Sequence, residues 1–260
     1  MKNSLVCFFF FLFLVGSVSL FANHKNSPKK AFVVGTTSGY APYVSLNAKG
    51  EHEGFDIDFA GLVAERLDRK LVIQDLGSMP SLLVGLKKKK VDALIWAMSI
   101  TKDRLNAMEM IYYQGKKEDK IPFVFWGEIP EGITSINDLE KKKNCTVCVE
   151  AGSYQDSILN NYSKLNVRFM DKIDDAIMEI RYGKSLATTI DSSLIKRVKM
   201  QYPKAKVLYL PLAEKEQSFG NGICVHKDNQ DLSNQIKKIV ADLEKEGKIA
   251  ELEKKWGLDN

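Results

Sequence analysis

Between Ala31 and Gly257, short apolar runs alternate with longer stretches whose apolar residues recur at helical spacing, and the alternation restarts after Lys120. Alternation of this kind builds sheets of mainly parallel strands with helices on their faces. The first unit reads as strands at "AFVVGT" (31–36), "LVIQDL" (71–76) and "VDALIWAM" (91–98). Its helices are "DIDFAGLVAERLDRK" (56–70) and "SMPSLLVGLKKKK" (78–90), the latter opened by Ser78 with Pro80 in its first turn. A hairpin is expected to turn at Lys49 and Gly50. The second unit reads as strands at "PFVFWG", "CTVCVEA", "VRFM", "SLATTID" and "VLYL", with helices at 153–164, 171–183 and 192–202. A loop, "PLAEKEQSFGNGICVHKD" (211–228), and two amphipathic helices close the chain.

Two α/β units facing one another define the expected architecture. The charged stretch "GKKEDK" (115–120) reads as one joint and 214–222 as a second, so the chain is expected to cross twice. One lobe then comprises 29–116 and 221–260, the other 117–220. Residues 1–22 read as a secretory leader: Lys2 precedes an apolar run from Leu5 to Val15, and small residues follow. An uncleaved anchor is the competing reading of the same segment.

The net charge of +5 carries little weight, because the lysine runs 87–90 and 141–143 lack interleaved aromatics and read as solvated helix ends. No nucleic-acid partner is expected. Cys145, Cys148 and Cys224, an odd set, follow the leader. Residues three apart on a strand face opposite ways, so "CTVC" is read as free, buried thiols rather than a disulfide. The histidines lack metal-ligand spacing, and no cofactor motif stands out.

Ligands of such sheets bind beyond the carboxyl ends of strands, and candidate residues gather there. In "MSITKDR", Thr101 is a candidate N-cap with Arg104 at the third helical position. Ser153 caps or starts the facing helix of the second unit, and Asp191 ends the strand "ATTID". A guanidinium and two helix starts form a receptor for a carboxylate, and Asp191 is an acceptor of opposite sign. Cation and anion across one cleft describe a site for a free amino acid.

Over residues 31–257, "VGTTSGYAPY", "EGFDIDFAGLVAERL", "LVGLKKKKVDALIWAMSITKDR", "VEAGSYQ", "ATTID" and "SFGNGICV" occur in an order and spacing that resembles the polar amino-acid family of periplasmic solute-binding proteins. These are the capture components of ABC importers. The resemblance implies a two-lobed Venus-flytrap fold, an amino-acid ligand, a membrane permease as partner and a monomer. It implies that Arg104 grips the α-carboxylate with the backbone N–H groups of Ser99, Ser153 and Tyr154. Asp191, the Ser99 hydroxyl and the Ala97 carbonyl would receive the α-ammonium, and Tyr40 would lie along the side chain. Phe55 and Ile57 would pack, while Asp56 and Asp58 would serve nearby backbone or the helix start.

The chain departs from the family pattern at positions that select the side chain. Thr37 stands where relatives binding basic amino acids carry a carboxylate, and Thr37 and Ser38 can equally serve only to shape the turn. Glu150 stands where an apolar residue is common, Trp96 where serine is common, and Met79 where an aromatic is common. Glu150 is therefore expected to supply the missing charge, with Trp96 and Tyr40 sandwiching a guanidinium; arginine is the expected ligand. Rival readings are a dehydratase acting on prephenate or arogenate, with Glu150 as general acid, and a sensor or surface protein that keeps the fold.

Overall fold

The computed structural model describes residues 29–142 and 145–259; the leader read from the sequence lies outside them. β1 (Ala31–Thr36) leads through a hairpin, β2 (Ser45–Leu46) and β3 (His52–Glu53), into α1 (Phe55–Arg66). β4 (Lys70–Asp75), α2 (Met79–Lys87), β5 (Ala93–Leu94), α3 (Lys102–Ala107) and β6 (Glu109–Glu118) follow. A second run holds β7 (Lys120–Trp126), α4 (Ile136–Glu140), β8 (Thr146–Glu150), α5 (Tyr154–Leu159) and β9 (Asn166–Met170). It continues through α6 (Ile173–Arg181), β10 (Ala187–Thr189), α7 (Ile195–Gln201) and β11 (Ala205–Pro211). Finally β12 (Ser218–Val225), α8 (Gln230–Lys245) and α9 (Lys248–Trp256) return to the first unit.

The strands form two five-stranded sheets, ordered β4-β1-β5-β12-β6 and β11-β7-β10-β8-β9. Four strands of each sheet share one direction; β12 in the first and β7 in the second run against them. Each reversed strand is the first one the chain enters after crossing between sheets. The two crossings lie side by side: Glu118 pairs with Ser218, Lys120 with Pro211, and the Leu212 N–H donates to the Asp119 carbonyl at 2.9 Å. Two short connections held by so few bonds are a natural place for lobes to pivot.

Two stretches differ from the sequence reading. "VDALIWAM" is a strand only at Ala93–Leu94; Ala97 takes a left-handed φ of 40° that interrupts the regular ladder, and Met98 and Ile100 stay hydrogen-bonded to β12 beyond it. The stretch read as a loop, 211–228, contains the eight-residue β12. Glycines and an asparagine lower its intrinsic strand preference, but insertion between β5 and β6 satisfies its backbone, and that tertiary pairing wins. Cys145, Cys148 and Cys224 are free and buried, in accord with the strand geometry.

The segment "GFDIDFA" does scaffold work. Gly54 has φ 135°, and a Cβ there would lie 2.0 Å from the Tyr43 carbonyl oxygen, so only glycine lets the hairpin pass the start of α1. Phe55 and Phe59 are fully buried and stack with Tyr113. Asp56, also fully buried, accepts the Ala97 N–H and the Tyr113 hydroxyl, both at 2.7 Å. Asp58 accepts from Trp256 Nε1 and Lys255 Nζ at 2.7 Å, which fastens α9 to α1.

One apolar cluster runs from the first sheet across the cleft to Ile173, Ile177 and Ile190; a second fills the other face of the second sheet against α4 and α5.

Candidate functional site

Arg104 sits one turn into α3, and its N–H donates to the Thr101 hydroxyl that caps the helix, at 3.2 Å. The side chain is buried, and its two terminal nitrogens reach different lobes. Nη1 donates to the Ser99 carbonyl at 2.9 Å and Nη2 to the Gly152 carbonyl at 3.2 Å. Among the described residues no carboxylate lies within ion-pair distance of it. Burial therefore works against its charge.

Asp191 closes β10 from the other lobe and accepts the Ser193 N–H at 2.9 Å and the Ser193 hydroxyl. Burial raises its pKa, and the serine bonds and Arg104 only partly offset that. Arg104 and Asp191 thus feel one another without pairing. Arg104 is a buried charge and Asp191 a half-buried one, neither in an ion pair among the described residues, an arrangement that a third molecule carrying both charges would complete.

Tyr40, Glu150, Ser153 and Asp191 line one small cavity with Lys172 and Thr189. It holds about 10 Å³, room for a single water. A larger cavity of about 930 Å³ lies on the hinge side of Asp191, where Ser99 also reaches its wall. Asp191 is the residue common to both.

The other sequence candidates fall around this centre. Ser153 caps α5 by accepting the Asp156 N–H at 3.1 Å. The Tyr154 hydroxyl donates to the Glu216 carbonyl in the second crossing, so its ring belongs to the lobe. Met79 opens α2 opposite Gly152: a Cβ on Gly152, where φ is 74°, would stand 3.2 Å from Met79 Cγ. The two lobes touch at that point. Ala97 lies beside the site with its N–H committed to Asp56.

Thr37, Ser38, Met79, Trp96, Ala97, Arg104 and Tyr154 line neither cavity. Thr37 is buried at the end of β1, and the Ser38 N–H donates to Asp75, which also meets His52. These contacts favour the turn-shaping role for Ser38. The parallel aromatic sandwich is not present: the Tyr40 and Trp96 rings touch each other, with centroids 4.8 Å apart and planes at 47°. Mutual burial of two large apolar faces drives that contact, and a flat cation can stack there only when the rings part. Trp96 Nε1 is buried without a hydrogen-bond partner among the described residues.

Glu150 lies in the small cavity. Burial, then the nearby Asp191, pushes its carboxyl up to about 8, with Arg104 pulling the other way. A third cleft carboxylate, Glu118, escaped sequence reading because it sits in a run of charges that looks like a solvated joint. Burial and Asp191 push it up to about 8 as well. Glu150, Glu118 and Asp191 offer acceptors to a cationic guest, which would favour their ionised forms, while Lys172 at the small cavity offsets part of their charge.

Catalytic groupings are not evident among the described residues. His52 meets Asp75 and His226 meets Asp228 toward the surface, and the Cys148 thiol, raised by burial, donates to Ser185. No His/Cys/Asp/Glu cluster of metal-holding type occurs among the described residues, and none of their helices is long and apolar enough to cross a membrane.

Residues 32–259 match the sequence profile of the bacterial extracellular solute-binding proteins, family 3. The chain is 33% identical over 235 residues to the probable ABC transporter arginine-binding protein ArtJ of Chlamydia trachomatis, covering 90% of this chain and 89% of that one. A mutant of ArgBP from T. maritima is 27% identical and superposes with a TM-score of 0.77 over 88% of this chain and 96% of that one. The ancestral amino-acid-binding protein AncCDT-1, a precursor of cyclohexadienyl dehydratase, shares the fold at 21% identity, with a TM-score of 0.74 over 87% and 95% of the two chains. By the extent of the profile match and the length of shared sequence, this chain belongs to the bacterial extracellular solute-binding proteins, family 3.

Proposed function

We propose that the protein captures a free cationic amino acid, arginine first among them, outside the cytoplasm and delivers it to an ABC transporter permease as a monomer. The observation that supports this reading most is Arg104 and Asp191, contributed by opposite lobes and in no ion pair among the described residues, the first buried and the second half-buried at the wall of both cavities. Arg104 would release the Gly152 carbonyl and take the ligand carboxylate as a fork. Asp191 and the Ser99 oxygens would take the α-ammonium. Glu150 would meet the distal cation, with one face of Tyr40 or Trp96 against it once the rings separate. The lobes would pivot at Asp119 and at 212–217, in keeping with boundaries near 116/117 and 220/221. The cavity of about 10 Å³ is too small to admit an amino acid, so entry requires that opening. The relatives named as arginine-binding add support from outside the chain.

A thermal-shift screen over the twenty amino acids tests this. A ligand bound only by the native state adds about 2.7 kcal/mol at a hundredfold excess over Kd. L-arginine is expected to give the largest rise in Tm, lysine and ornithine smaller ones. No shift with arginine beside a large shift with glutamine overturns the specificity.

A dehydratase reading draws on Glu150, whose carboxyl at about 8 would be protonated at neutral pH as a general acid must be. Incubation with prephenate or arogenate separates the two. No product is expected.

A further inference from the structure

Glu118 is the last residue of β6, at the crossing itself, paired in the sheet with Ser218. Its position gives it access to a space shared with both lobes. The cavity on the hinge side of Asp191 is walled by Glu118 from the hinge, by Ser99 from the first lobe and by Asp191 with Ser192 from the second. Ser99 and Asp191 are the residues assigned above to the ligand ammonium, so Glu118 walls the same cavity as that position.

Two half-buried carboxyls walling one cavity resist ionising together. The surrounding charges do not relieve them. Lys116 lies on β6 itself, Lys196 and Lys199 on α7, and Glu253 and Asp259 near the C-terminus, all around the same cavity. Among the described residues none forms an ion pair with Glu118. The phenols of Tyr154 and Tyr209 feel its charge and are themselves raised, chiefly by burial. Only Ser192 stabilises its ionised form. A small cation placed between Glu118 and Asp191 would allow both to ionise, and an α-ammonium has the size and charge to do it.

We propose that Glu118 is a ligand-binding residue: with Asp191 it forms a two-carboxylate seat for the α-ammonium, and the proton this pair holds in the free protein leaves when the ammonium arrives. The balance is simple. Protein carrying one proton on the pair, plus the amino acid with its ammonium intact, gives the complex plus one proton in solution. This rests on the amino-acid-binding reading above. It adds a residue that the resemblance to the family did not supply, and it makes capture depend on pH.

Calorimetry of L-arginine binding, repeated at pH 7 in buffers of different ionisation enthalpy, counts the protons released. The wild type is expected to release up to two protons, one from the pair and one from Glu150, and to bind up to a hundredfold tighter for each unit of pH between 6 and 7.5. Glu118→Gln is expected to release about one proton fewer, to lose at least tenfold in affinity, and to flatten that pH slope. Equal proton counts and slopes in wild type and E118Q overturn the proposal while leaving amino-acid binding intact. Absence of any arginine heat in the wild type instead strikes the function itself. Should E118Q not fold, E150Q at high protein concentration removes the other raised acid: a remaining proton supports the pair, and none overturns it.

Discussion

Arg104→Ala is expected to remove measurable amino-acid binding while leaving a folded protein. Truncating one partner of a buried ion pair costs roughly 3–5 kcal/mol, because the other charge stays buried alone. Here the stranded charge would be the ligand carboxylate, and the loss corresponds to about a hundredfold to several thousandfold in Kd. The fold should not suffer in proportion. Arg104 has only two carbonyl partners, Ser99 and Gly152, and burial already disfavours its charge. The unliganded Tm of the variant is therefore expected to stay level or rise, while the arginine-induced shift disappears. Arg104→Lys keeps a charge but loses the planar fork, so it should retain weak binding. Titration calorimetry and thermal denaturation, run on the same samples, separate the effects. Near-unchanged affinity in R104A would refute the site.

The residues that chemistry places at helix starts and strand ends were legible in the sequence. Thr101 with Arg104, Ser153 with its helix and Asp191 at the end of "ATTID" each follow from a local rule of capping or strand polarity. What local rules do not carry is what distant segments impose. Nothing about alanine predicts φ 40° at Ala97, where the carboxylate of Asp56, 41 residues earlier, holds the N–H. The ring contact between Tyr40 and Trp96 depends on two loops meeting, not on either loop. Glu118 was hidden twice. It belongs to a charged run, and the alternation along β6 is broken where β12 shifts register between Phe219 and Gly222. Periodicity therefore gives no sign of which charged side chain turns inward.

Stability of the unliganded protein is expected to fall as pH rises from 5.5 to 8.5, the reverse of what a carboxylate-paired surface would give. Burial pushes Asp56 up to about 7, and Glu118 and Glu150 up to about 8. In the unfolded chain the same groups titrate near 4. Between those values the native state holds more protons than the unfolded one, so stability decreases with pH. The loss begins above about pH 4 and is complete above about 8. For one group raised by about three pH units, the linkage amounts to roughly 4 kcal/mol at full ionisation. Asp138 does not blur the window, because Lys141 and the N–H groups at the start of α4 hold it well below the usual carboxylate range. A drop in Tm on the order of 5–10 °C between the two pH values would follow from a net loss of a few kcal/mol in a chain of this size. Saturating arginine should shrink it, since the guest supplies the cations that Glu118 and Glu150 lack. Asp56→Asn isolates the scaffold's share: the amide oxygen can accept the Ala97 N–H while the amide nitrogen donates to the Tyr113 oxygen, so both bonds survive without a titrating proton. D56N is expected to keep its Tm at pH 5.5 and to lose less of it by pH 8.5 than the wild type does. A wild-type Tm that is flat or rising over this range would mean that the three carboxyls are not held in the dry environment that the site requires.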